Sequence, residues 1–404
     1  MKRIVVSGAV ALLTIAIFSL AAFQEIETVD GIKVIHNVKG GKWGKSPLIK
    51  LEHIRTLGDP DSPDENTAFY LPACVAVDGA GNVYVLDSGN HRIQKFGPGG
   101  KFLASLGRQG QGPGEMFHPG WLDIDGSGNL YVTDAHNGRV QVLSPEGKEV
   151  KTIRFIGEGP GSAFLSRKEP GHLIMGRPSV RFGVSAGPDD KKSTPPGLVR
   201  VADETGKIVR SFAAARDFGD ELLNSSLNEA IITVGRAGEV FIVYPFQNKL
   251  EKYEGGGKLL WRADRELAYD MEVKDKGKIE RSGGSVSVMM PRLNRAAAGA
   301  AVDDKGRVWV VTYARQLKKE EQVGMMVGMT QSMGGGRSVS YKVQGDTELR
   351  NTNAFKLEIF DGDGILLGEI PLDVFVDGIF ISGDRVFLLD KMRGARILEY
   401  RIKD

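Results

Sequence analysis

From residue 72 onward, short apolar runs alternate with turn clusters. Pro72-Ala73-Cys74-Val75-Ala76-Val77 leads into Asp78-Gly79-Ala80-Gly81-Asn82. Val83-Tyr84-Val85-Leu86 follows and ends in Asp87. Runs this short, rich in Val and Tyr and bounded by Gly, Asn and Asp, read as strands. Asp-x-x-Gly-Asn between two of them reads as a hairpin turn that needs a positive φ. A third run, Arg92-Ile93-Gln94-Lys95-Phe96, and a fourth, Lys101-Phe102-Leu103-Ala104-Ser105-Leu106, complete one unit.

The unit recurs. Pro72 aligns with Pro119, Asp78 with Asp125, Asp87 with Asp134, Arg92 with Arg139 and Gly100 with Gly147, without a gap. Looser copies contain Gly171-His172-Leu173, Ala237-Gly238-Glu239-Val240, Asp303-Asp304-Lys305-Gly306-Arg307, and Gly383-Asp384-Arg385-Val386. Four antiparallel strands in roughly 40–50 residues, repeated six times, is the pattern of propeller blades. The expected fold is all-β, a six-bladed β-propeller over residues 47–404. The sixth copy ends at Asp404, one strand short. Residues 48–57 resemble a fourth strand, so they are expected to complete the last blade and remove two open sheet edges.

Gly81-Asn82-Val83-Tyr84-Val85-Leu86-Asp87, followed by Asn90-His91-Arg92-Ile93-Gln94-Lys95-Phe96, resembles the NHL repeat. The stretch from Gly107 to Pro119 resembles the inter-blade linker of exported bacterial six-bladed propellers of that type. The resemblance implies the fold. It says little of function, since such propellers host lyases, hydrolases and binding scaffolds.

The N-terminus reads as an address. Lys2 and Arg3 precede an uncharged stretch, residues 4–23, with a small-x-small site at Ser19-Leu20-Ala21. Residues 1–23 are expected to be a signal peptide, or a membrane anchor if uncleaved, because the stretch is long enough to span a bilayer. The protein is then exported, periplasmic or secreted. Residues 24–46 read as a linker. Two insertions interrupt the repeats, at residues 264–294 and 314–353, and loops of this length are usually functional or disordered.

Composition narrows the function. The chain has 404 residues and a net charge of +2, which argues against a nucleic-acid partner. Its single cysteine, Cys74, excludes an internal disulfide framework and multi-cysteine zinc or iron–sulfur sites. Cys74 itself reads as a buried apolar residue.

The candidate ligand-binding residues lie where second strands end and third strands begin. Asp87, Asp134 and Asp390 share one slot, which Arg177, Tyr244 and Thr312 fill in copies three to five. Arg92, Arg139, Lys249, Lys356 and Arg396 follow them. Acids converging on a channel mouth could hold a cation or polar ligand. The competing reading is that each Asp caps its own loop and pairs with its own Arg. His91 and His136 sit in loops of adjacent blades and could approach each other. The resembled lyases place His ligands around a metal, yet copies four to six contain no His. Met325, Met326, Met329 and Met333 would put three thioethers on one face if helical, suiting Cu(I) or an adaptable contact surface.

No nucleophile–base constellation is visible, so no catalytic residue is assigned. The expected function is a monomeric scaffold binding a protein, peptide or glycan on the blade-loop face, without a cofactor. The alternative is a lyase or hydrolase with one divalent cation, calcium or zinc, in the channel. A membrane is a partner only through residues 4–23.

Overall fold

The computed structural model describes residues 24–44, 46–59, 61–155, 159–177, 197–282, 285–331 and 337–404. Six antiparallel blades surround an axis. Blade one comprises Pro72–Val77, Val83–Asp87, Arg92–Phe96 and Phe102–Leu106. Blade two comprises Trp121–Ile124, Leu130–Asp134, Arg139–Leu143 and Glu149–Arg154. Blade three is built from Ala163–Leu165, Leu173–Gly176, Gly197–Ala202 and Ile208–Ala214. Blade four uses Ile231–Val234, Val240–Val243, Leu250–Tyr253 and Leu259–Arg265. Blade five uses Ala297–Val302, Val308–Tyr313, Asn351–Phe360 and Leu366–Val374. Blade six pairs Gly378–Ser382, Arg385–Asp390 and Arg396–Lys403 with Lys50–Leu57 from the N-terminal side, as expected.

The apolar pattern explains the stacking. Second strands are buried on both faces, as in Val83–Asp87 and Val308–Tyr313, because each blade is covered by two neighbours. Six hydrophobic clusters result, one at each blade–blade interface. Cys74 is fully buried in the cluster between blades one and two, and burial pushes its thiol well above the ordinary range. The Asp-x-x-Gly-Asn hairpins form as expected. Asp78 Oδ1 accepts from the N–H groups of Ala80 and Asn82, and Gly81 takes φ 84°. Asp125 and Gly128 repeat the arrangement.

The presumed linker is structured. Gln24–Val29 and Ile32–Asn37 form a hairpin, and its second strand runs parallel to Leu259–Arg265, giving blade four six strands. His36 Nδ1 lies 2.8 Å from Asp264 Oδ2 and helps fasten it. Asn37 then crosses to blade five, donating to Gly364 O and accepting from Leu366 N. Lys42 and Trp43 donate their N–H groups to Leu366 and Leu367 carbonyls. One segment therefore straps the outer edges of blades four, five and six. The sequence signal was weak because these strands complete other sheets instead of forming their own repeat.

Tight turns occupy one face of the disc. The other face, called here the loop face, carries the inter-blade links and both insertions. The first insertion contains the hairpin Lys278–Ser282 and Ser285–Met289. The second contains a short 3-10 turn, Lys319–Glu321, and the hairpin Gly324–Gln331 and Arg337–Gln344. The methionine segment is thus a strand, so helical spacing does not apply to it; Met333 lies outside the described residues. The two insertions are tied at their roots. Gln316 Nε2 donates to Arg295 O at 2.9 Å, and its Oε1 accepts from Arg295 N at 3.0 Å. Arg315 grips Glu321 with two nitrogens at 2.6 and 2.7 Å.

Candidate functional site

The repeated acids are placed at the loop-face corner of each blade and are bonded there. Asp87 is fully buried. Its Oδ1 accepts from Tyr70 N at 2.7 Å, and its Oδ2 from Asn90 Nδ2 at 2.9 Å and Arg92 Nε at 2.8 Å. Asp134 repeats this with Phe117 N, Asn137 and Arg139 at 3.0, 2.8 and 2.9 Å. Asp390 accepts from Arg393 N and Arg396 Nε at 3.2 and 3.1 Å. Arg92 and Arg139 each share one further nitrogen, Nη2, between two linker carbonyls, Glu65 and Ala68 in one blade, Gly112 and Glu115 in the next. The geometry favours the loop-capping reading: these acids and cations lock linkers to blades.

Blades four and five build the lock differently. Tyr244 Oη donates to Glu251 Oε2 at 2.8 Å, and Lys249 Nζ sits 3.8 Å above the tyrosine ring. Thr312 Oγ1 donates to Glu358 Oε2 at 2.7 Å. Lys356 and Arg265 lie 2.8 and 2.5 Å from the Glu358 carboxylate.

His91 and His136 do approach each other, through a third imidazole that the sequence reading left out of the candidates. His91 stacks on Phe117 at 5.5 Å, His118 lies 4.2 Å from His91, and His136 is 5.8 Å from His118. His91 and His118 hold positive φ, 57° and 47°. His91 Nδ1 accepts from the His118 N–H at 3.0 Å. Burial and the neighbouring imidazoles push His118 down to about 4. Among the described residues, no three His, Cys, Asp or Glu side chains are grouped so as to hold a metal ion.

The channel is lined by first strands, whose inward positions are mostly small or apolar. An aromatic group closes it midway: Trp121 lies 4.6 Å from Phe164 and 5.8 Å from Phe380. Above this floor the loop-face mouth, a cavity of about 270 Å³, is bounded by Ser162, Arg177, Ala230, Ala298, Asp377 and Ile379. A crevice of about 390 Å³ adjoins it through Arg177 and Ala230. Its walls are Leu198, Phe246, Met290, Pro291 and Leu293, with Glu229 among them. Of the expected site residues, Arg177 alone lines this concavity. Its Nε donates to Gly197 O.

Asp377 and Glu229 are the carboxylates the sequence reading missed. Asp377 Oδ2 accepts from the N–H groups of Lys391 and Met392 at 2.9 and 3.3 Å. The protein packed around it shifts its carboxyl up, with Asp390 adding to the effect, although the residue stays exposed. Glu229 is also exposed; partial desolvation by its surroundings raises it, against the attraction of Arg295. A signal existed. Asp377 N donates to Leu389 O as Gly120 N donates to Thr133 O and Gly161 N to Gly176 O, so the three positions are equivalent. Strand register adds Ala73, Ala230 and Ala298 to the set. Five blades place Ala or Gly there, and blade six places Asp377.

Residues 69–96 match the NHL repeat model. No curated protein matches the chain. Among solved structures, a DUF4221-family protein from Bacteroides vulgatus is similar at TM-score 0.54 and 10% identity, over 88% of this chain and 99% of that one. Virginiamycin B lyase from Staphylococcus aureus is similar at TM-score 0.44 and 13% identity, over 87% and 99%. A gluconolactonase from Xanthomonas campestris is similar at TM-score 0.45 and 12% identity, over 83% and 87%. The chain is a six-bladed β-propeller that carries an NHL repeat at residues 69–96.

Proposed function

We propose that the protein is a recognition scaffold whose loop face takes an extended peptide segment of a partner. The observation that carries this reading is the joined mouth and crevice. It offers apolar walls, an aromatic floor and groups of both charge signs, which is what a peptide's mixed surface requires. Met290, about half exposed on the crevice rim, adds an adaptable thioether to that surface. Roots tied by Arg295–Gln316 and Arg315–Glu321 hold the surrounding loops in place, which lowers the ordering cost of binding.

The test is selection of peptides from a random displayed library on the full chain, followed by Met290→Glu. The reading expects selected peptides to lose about tenfold or more in affinity, corresponding to ~1.4 kcal/mol. The melting temperature should not change, because the side chain is exposed. Peptides that bind Met290→Glu as well as the parent would contradict it. We infer also that the scaffold works outside the cytoplasm, with residues 1–23 as its signal or anchor. N-terminal sequencing of fractionated protein tests that: a chain with residues 1–23 intact in the soluble cytoplasmic fraction would refute it.

A further inference from the structure

The first strands line the channel, and their register allows the blades to be compared position by position. Pairing with the second strands aligns Ala76, Asp123, Phe164, Thr233, Ala301 and Phe380. Blade two alone places a charge at this level. A residue type shared by the blades serves the fold, and a departure in one blade is free to serve a ligand. Val77, Val234, Val302 and Ser382 end their strands just beyond, at the tight turns. The same residues line a cavity of about 190 Å³ below the aromatic floor, so it opens on the tight-turn face, away from the peptide crevice.

Asp123 is fixed in this cavity by backbone. Its Oδ1 accepts from Ile124 N and its Oδ2 from Leu165 N of blade three, each at 2.8 Å. The side chain is 19% exposed. Arg167 stands at the rim, about half exposed, with Nη2 3.9 Å from Asp123 Oδ1, beyond hydrogen-bond reach. Each ion of this loose pair therefore retains capacity for a ligand. The rings of Trp121, Phe164 and Phe380 line the same cavity, and none is fully buried. Ring faces attract a cation through their quadrupole. A separate observation concerns Trp121: its Nε1 is buried and meets no acceptor among the described residues. A buried donor left unpaired is costly, and an acceptor supplied by a ligand recovers that cost. One ligand answers all of these groups if it carries a cation for Asp123 and the rings, and an anion for Arg167 and the indole N–H. The short Asp123–Arg167 separation suits charges joined by a short carbon stem and laid head to tail across the pair.

We propose that the tight-turn side of the channel binds a small zwitterion of the amino-acid or betaine class, with its ammonium on Asp123 and the aromatic faces and its carboxylate on Arg167 and Trp121 Nε1. Binding is non-covalent, so no bond is made or broken. The site is separate from the peptide crevice, and either reading can fail without the other.

Calorimetry on the full chain tests it with glycine betaine, glycine, choline and acetate. Choline lacks the carboxylate and acetate lacks the cation. The tighter zwitterion should bind about tenfold or more tighter than either fragment. Betaine ahead of glycine assigns the site to a methylated ammonium held by the rings, and the reverse order assigns it to an amino acid held by hydrogen bonds to Asp123. Arg167→Glu, at the exposed rim, should lose about tenfold or more of the zwitterion affinity at an unchanged melting temperature. Trp121→Phe keeps a ring and removes the donor, so affinity should fall there as well. The indole N–H resonance that disappears in Trp121→Phe should shift downfield when the parent is titrated. Asp123→Asn should also lose zwitterion binding; because it gives up one backbone acceptor, Arg167→Glu carries the test if that variant is unstable. Zwitterion affinity no higher than that of choline or acetate overturns the proposal. So does affinity that survives Arg167→Glu, or an indole resonance that stays in place. Absence of binding by all four compounds overturns it too, and leaves the peptide-scaffold reading to the library selection and Met290→Glu.

Discussion

The corners of blades one and two differ instructively from those of blades four and five. In the first pair the acid ends the second strand, Asp87 or Asp134, and bonds one arginine, Arg92 or Arg139. In the second pair a hydroxyl takes that slot, and the acid moves to the third strand as Glu251 or Glu358. Each then meets two cations: Glu251 meets Lys249 and Arg262 of its own blade four, and Glu358 meets Lys356 of its own blade five and Arg265 from the edge of blade four. In these four blades the corner holds a buried carboxylate locked to a cation, while the residue that supplies it is interchangeable. Recurrence in a changed form marks a requirement of the fold. Asp377 is the opposite case, a charge placed once where other blades have none.

The number of cations also sets the acid–base behaviour. Burial raises Asp87 despite its bonds to Tyr70 N, Asn90 and Arg92. Burial pushes Glu358 up as well, but Arg265 and Lys356 more than offset it and hold it below the ordinary range.

The largest expected effect breaks both regions together. Deleting residues 47–58 removes the strand Lys50–Leu57 from blade six and opens the ring. The expected outcome is loss of cooperative unfolding in calorimetry. An unchanged melting temperature would refute closure by this strand.

Next come the locks themselves. Glu358→Ala leaves Arg265, nearly inaccessible, without its carboxylate, so a loss of about 3–5 kcal/mol is expected in denaturant unfolding. Asp134→Ala should cost less, because it strands one cation, Arg139, where Glu358→Ala strands two, Arg265 and Lys356. Equal costs would show that the second cation contributes nothing.

A smaller effect separates hydroxyl from carboxylate. Tyr244→Phe removes one donor to Glu251, which keeps Tyr253 and Arg262, so about 1 kcal/mol is expected. A cost near that of Glu358→Ala would mean the hydroxyl, not the carboxylate, holds the corner.

The smallest effect is in pH. Glu358 is lowered in the folded protein, so its contribution is whole above pH 4.5 and is lost as pH falls through its lowered pKa. Asp87 is raised, so its ionised form is a cost that falls away as pH drops. Hydrogen exchange, corrected for intrinsic rates, should therefore show Val308–Tyr313 losing protection in acid before Val83–Asp87. The reverse order would contradict the two-cation account.

Much of this was legible beforehand. The turns at Asp78 and Asp125, the six copies and the closing strand follow from local chemistry that repeats. The strap was not, because Gln24–Val29 and Ile32–Asn37 are defined by an edge in blade four that is remote in sequence. Pairing of His91 with His136 through His118 required an inter-blade link that only the fold supplies. Asp377 was hidden for a different reason. The search followed what the copies share, and the informative residue was the one that departs.

The most direct test is a double comparison, Met290→Glu against Asp134→Asn, measuring peptide affinity and melting temperature on each. The account expects Met290→Glu to lose peptide affinity at unchanged stability. Asp134→Asn should lose stability and keep affinity at a temperature where it is folded. Peptide affinity that falls in Asp134→Asn and survives in Met290→Glu would place recognition in the repeated ring and contradict the account.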